Sequence, residues 1–143
     1  MADSPRKAGR PSKDIDARTQ LIEHARDLFT VMAYDKVSTR LVAKRAGVNV
    51  AMIRYYFGSK EGLFETMLRE TLEPMKQQLK TLAADSNQKN FLDLMRTYYR
   101  EMVKIPQFPR LVAQVMNMPP SETQRKLLAV SYTHLTLPTT PVV

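Results

Sequence analysis

The chain has 143 residues, 43% of them hydrophobic, which is room for one domain or for a small module plus part of a second. It contains no Cys, so disulfides and thiolate metal sites are excluded and a cytoplasmic protein is the expectation. The net charge of +8 is uneven: residues 1–60 hold 12 Lys/Arg against 6 Asp/Glu, residues 61–143 hold 10 against 8, and a basic N-terminal part suits a polyanion partner at that end.

Residues 1–13 (MADSPRKAGRPSK) contain Pro5, Gly9 and Pro11 among Arg6, Lys7, Arg10 and Lys13, with almost nothing apolar to bury, and are expected to be a disordered basic arm. They carry no apolar h-region, and no run of 18 apolar residues occurs anywhere, so neither secretion nor a membrane span is expected. From Ile15 to Met32 the residues Leu21, Ile22, Ala25, Leu28, Phe29 and Met32 recur at the period of an amphipathic helix. The pattern breaks at Ala33–Val37, after which Ser38 or Thr39 caps a short second helix to about Ala46, with Leu41, Val42 and Ala43 for its inner face. Gly47 supplies a tight turn, and a third helix runs from Asn49 or Val50 to Phe57, with Val48, Ile53 and Phe57 inward.

Gly58 ends that helix and Ser59 caps the next, whose stripe Leu63, Phe64, Met67, Leu68 and Leu72 reaches Pro74, where a kink or break is expected before Met75, Leu79 and Leu82 resume it. Asp85–Lys89 reads as a turn, Phe91–Ile105 as an amphipathic helix punctuated by Pro106 and Pro109, Leu111–Met118 as a shorter helix, and Ser121 opens a last helix to about Val130. No β pattern competes, so the fold class is all-α. The final stretch, SYTHLTLPTTPVV from Ser131 to Val143, is uncharged and rich in Thr and Pro. It resembles the conceptual translation of a transposase-based sequencing-library adaptor read from about Val130. On that reading the native protein continues past Val130; an ordinary disordered terminus is the alternative.

A long helix followed by two short ones joined through Gly47 is the helix-turn-helix plan, in which the second short helix presents side chains to the major groove. The run Thr39-Arg40-Leu41-Val42-Ala43-Lys44-Arg45-Ala46-Gly47-Val48, followed by Arg54-Tyr55-Tyr56-Phe57-Gly58-Ser59-Lys60-Glu61-Gly62-Leu63, closely resembles the DNA-binding domain of the TetR/AcrR family of bacterial regulators, over about Ile15 to Leu68. The resemblance implies a three-helix DNA-reading head and a long fourth helix linking it to an all-helical effector and dimerisation domain. It further implies a homodimer on a palindromic operator in double-stranded DNA, released when a small-molecule effector binds. The expected divisions are an arm at 1–13, the head at 14–62, part of the second domain at 63–130 and the non-native tail at 131–143.

Thr39 offers its hydroxyl and backbone N–H to a phosphate at a helix N-terminus, and serves equally as a plain N-cap. Tyr55 and Tyr56 are assigned to backbone contact by the resemblance, with a core position as the alternative for one of them. Lys60 resembles the family's backbone-clamping lysine, and a cation at a helix N-terminus is otherwise disfavoured. Asn49, Ala51, Met52 and Arg54 are the expected base readers, since Arg binds guanine bidentately and Ala or Met touches a thymine methyl. Arg40 and Lys44 either touch the backbone or are simply solvated.

The Gly-Arg-Pro of the arm is similar to AT-hook arms, although a solubilising tail explains it as well. Met95, Tyr98, Tyr99, Met102, Phe108, Met116 and Met118 either line an effector pocket or are plain core. The histidines are His24 and His134 alone, no Walker-type loop or ligand-spaced cluster occurs, and no enzyme, metal or cofactor is expected. The competing reading is a helical interaction module that presents the Tyr-rich third helix to another protein.

Overall fold

A computed structural model of the chain describes residues 3–84 and 91–132, with the side chains of 16–82, 84 and 91–131. Among these residues it consists of seven α-helices and one turn of 3-10 helix, with no strand, in keeping with the all-α expectation. The helices are α1 (Asp3–Val31), α2 (Thr39–Ala46), α3 (Ala51–Phe57), α4 (Lys60–Ala84), α5 (Phe91–Met102), α6 (Phe108–Met116) and α7 (Glu122–Tyr132), and the 3-10 turn is Tyr34–Lys36. The expected turn at Asp85–Lys89 and most of the suspect tail, 133–143, lie outside the described residues. Two compact units divide the chain, residues 1–67 and 68–143, and α4 is continuous through residue 62, where a boundary was expected.

The first unit is built on α1, against which α2 and α3 both pack. Its core is Leu21, Ile22, Ala25, Leu28 and Phe29 from α1, Val42 and Ala43 from α2, Ile53 from α3, and Leu63, Phe64 and Met67 from the start of α4, joined by Val37, while Met32 and Leu41, expected with them, are half-buried. Burying a side chain of this size contributes about 1.5–3 kcal/mol each, so these few residues hold three short elements that would be marginal alone. The α1 helix begins at Asp3, so its backbone takes in most of the stretch expected to be an arm.

Pro74 lies inside α4 without ending it. Proline removes a single i→i−4 hydrogen bond, while the buried stripe runs on either side of it, through Leu68, Thr71 and Leu72 before and Met75 and Leu79 after, and keeps the helical period.

In the second unit α6 and α7 pack together, and Phe108, Leu111 and Val115 of α6 and Leu127 of α7 are buried. Ser121 caps α7 by accepting the Gln124 N–H at 3.1 Å. The Gln124 side-chain amide in turn donates to the carbonyls of Val115 at 3.0 Å and Met118 at 2.9 Å, answering acceptors that the end of α6 leaves over. Pro109 sits in the first turn of α6, where its missing N–H costs nothing, instead of standing before the helix.

The helix α5 departs from expectation. It turns Thr97 and Glu101 inward and leaves Phe91 (70% exposed), Met95 and Tyr99 (63%), spaced every four residues, on the surface with Leu92 and, just past its end, Val103. The inward Glu101 carboxylate is met by the Lys104 ammonium at 3.1 Å. Of the residues expected to line a pocket or fill a core, Phe108 is buried, Tyr98, Met102 and Met118 are half-buried, and Met95, Tyr99 and Met116 are exposed.

Candidate nucleic-acid interface

The helix-turn-helix is set by its caps. Ser38 is extended, and its Oγ accepts the Leu41 N–H at 3.0 Å, so α2 starts at Thr39 with that residue half-buried in the first turn. At the other end Gly47 takes φ 70°, its N–H donates to Lys44 O at 3.2 Å, and the Val48 N–H reaches Ala43 O at 3.0 Å. This pair of bonds is the Schellman arrangement, which needs a left-handed residue at that point. Arg40, Lys44 and Arg45 all project into solvent from α2.

In α3 only Ile53 is fully buried, while Val48 and Phe57, expected to share its inward role, are half-buried. Ala51, Arg54 and Tyr55 (75%) are exposed, and Met52 and Tyr56 half-exposed, so one anchored residue leaves most of a two-turn helix facing out. Asn49 is exposed, and its Oδ1 accepts the Ala51 N–H at 2.8 Å. The side-chain oxygen is therefore engaged in starting α3, and Nδ2 is the group left for outside contact. The sequence offers Asn49 both as a possible first residue of this helix and as a base reader, and an Asn just ahead of a short helix is itself a capping signal.

Three rings follow one another at the end of α3. Tyr55 and Tyr56 meet edge to face with centroids 4.9 Å apart, Tyr56 and Phe57 are 5.9 Å apart, and the guanidinium of Arg18 on α1 lies 5.6 Å over the Phe57 ring. Sequence reasoning missed Arg18. Nothing local marks it, because the contact joins residues 39 positions apart and arises only when α1 packs on α3.

The passage from α3 to α4 is tight. Gly58 adopts φ 85° and donates to Arg54 O at 3.0 Å, and Ser59 Oγ accepts the Gly62 N–H at 3.0 Å. A Cβ on Gly62 would collide with the Phe57 carbonyl oxygen, so the glycine allows the first turn of α4 to close on the last turn of α3.

Lys60, the first residue of α4, is half-buried, with Nζ 4.2 Å from the centroid of the Tyr34 ring. That ring stacks on Phe29 at 5.4 Å and tilts against Phe64 at 5.2 Å, with Phe29 and Phe64 themselves 4.5 Å apart and fully buried. Burial lowers the Lys60 ammonium below the usual lysine value, with Asp35 opposing. Burial also pushes the Tyr34 phenol up to about 12, helped by the charges of Glu61 and Asp35.

The unit is thus a three-helix head whose third helix shows cationic, hydroxyl and small apolar groups on a surface narrow enough for a groove that admits one helix. Its class is a helix-turn-helix DNA-binding head. Residues 21–67 match the family model described as "Bacterial regulatory proteins, tetR family". That match takes in about a third of the chain and includes α2, α3 and the start of α4. Over 85 residues the chain is 36% identical to the probable HTH-type transcriptional regulator YttP of Bacillus subtilis (strain 168), a match covering 57% of this chain and 41% of the relative. Over 75 residues it is 34% identical to the HTH-type transcriptional regulator BetI of Vibrio atlanticus (strain LGP32), covering 50% of this chain and 38% of the relative. The match therefore spans about two fifths of each relative's length. Among the described residues no helix is long and apolar enough to cross a membrane.

Proposed function

We propose that the chain is a DNA-binding transcriptional regulator of the TetR type, a ligand-released repressor that binds a palindromic operator as a homodimer in the cytoplasm. The observation that carries this reading is the outward set on α3: Ile53 anchors the helix while Ala51, Arg54 and Tyr55 stand in solvent. In this proposal Arg54, Asn49 through Nδ2, and the methyl-bearing Ala51 and Met52 read base edges. Thr39, Arg40, Tyr55, Tyr56 and Lys60 hold the phosphates. The helices that follow the head take the effector and the dimer contact, and the exposed apolar stripe of α5 supports an apolar partner or ligand there, since such patches mark interaction sites.

Selection of bound duplexes from a random pool tests the reading. The expected product is a two-fold symmetric site with half-site centres about 34 Å apart. Arg54→Ala is expected to lose about 1–3 kcal/mol of discrimination at one base position per half-site, while Lys60→Ala weakens all sequences alike. Recovery of no enriched duplex, or wild-type affinity in Lys60→Ala, counts against it.

A further inference from the structure

The Lys60 side chain is held where it is unusual to find one. It lies at the N-terminus of α4, the end of a helix that disfavours cations, and it is half-buried with its ammonium 4.2 Å from the centre of an aromatic face. The Tyr34 ring cannot easily turn away, because Phe29 stacks on it and Phe64 supports it, both without exposed surface. A flexible four-carbon stem loses rotamer freedom when it is fixed to a phosphate. An aromatic face already holding the ammonium imposes that ordering before DNA arrives and leaves the charge less hydrated.

We propose that Tyr34, a residue with no assigned part in DNA contact, is a positioning residue: its ring face seats the Lys60 ammonium for the phosphate clamp. This rests on the DNA-binding reading above. The attraction comes from the ring's negative face, so it belongs to the π-system and not to the hydroxyl. Asp35, on the same 3-10 turn, adds a carboxylate whose charge also favours an ammonium there.

The test uses the full chain on one mixed-sequence duplex of about three helical turns at fixed low salt, because a phosphate clamp is sequence-independent. Tyr34→Phe keeps the ring and is expected to bind within about two-fold of wild type. Tyr34→pentafluorophenylalanine keeps the shape but removes the negative face, and is expected to bind about two- to five-fold more weakly. In the Lys60→Ala background the same fluorinated ring is expected to change nothing. A fluorinated variant that binds as well as Tyr34→Phe, or more tightly, overturns the proposal, as does an equal loss in the Lys60→Ala background. Should the fluorinated chain not fold, Tyr34→Leu in the two backgrounds supplies the same comparison. If the wild-type chain binds no duplex at all, the DNA-binding reading has failed and the proposal falls with it. A flat ring series on a chain that does bind removes the proposal alone.

Discussion

Tyr34 and Lys60 titrate in opposite senses, and the signs separate them. The folded phenol is pushed up to about 12 from 10.0, so above about pH 10 the unfolded chain gives up a proton that the folded head keeps, and stability falls as the pH rises toward 12. The folded Lys60 ammonium has a lowered value, so just below 10.5 the unfolded chain holds the proton more firmly and stability rises with pH. The falling limb beyond 10.5 thus belongs to Tyr34, and denaturation midpoints of Tyr34→Phe across alkaline pH are expected to show a smaller drop than wild type. Not all of this was legible in residue types. Lys60 was picked out because a cation at a helix N-terminus needs a reason, but the ring that seats it is 26 positions earlier and belongs to the break after α1. Asn49 is a base-reader candidate in the sequence, and the structure adds that its Oδ1 is engaged in starting α3.

Caps and turns decide the elements, and each gives a testable cost. Ser38→Ala removes the acceptor at the start of α2 and is expected to lower stability by about 1 kcal/mol. Gly47→Ala places a Cβ in the left-handed region at φ 70° and is expected to cost roughly 1–2 kcal/mol. Gly62→Ala acts differently, through collision with the Phe57 carbonyl, and should displace α3 against α4 and weaken DNA binding more than a cap mutation of similar cost. In the second unit, Leu111→Ala should cost about 2–5 kcal/mol, since the side chain is fully buried. Tyr99→Lys should stay within about 0.5 kcal/mol, because the ring is exposed; thermal unfolding of the pair checks both. Periodicity predicted that α5 is amphipathic but not which face is inward. In the structure Thr97 and Glu101 are buried and the apolar stripe is exposed. The same limit applied to Pro74, whose local cost is outweighed by the buried stripe on both sides of it.

Across the whole molecule the basic excess of residues 1–60 coincides with the unit that carries the helix-turn-helix, and Arg40, Lys44, Arg45 and Arg54 all stand in solvent there. The head was legible from its sequence because each level agrees: caps at Ser38 and Ser59, turn glycines at 47 and 58, and a 3.6-residue apolar period that matches the buried set. The later helices were legible as helices and less so in their packing, since their punctuating prolines at 74 and 109 turned out to lie inside elements. In the proposed function this head grips phosphates. Affinity for duplex DNA measured across a salt series tests it most directly: log affinity should fall linearly with log salt, by about 0.9 for each phosphate contacted and so by several in total, with Lys60→Ala reducing the slope by about 1. An affinity that does not change with salt contradicts the account.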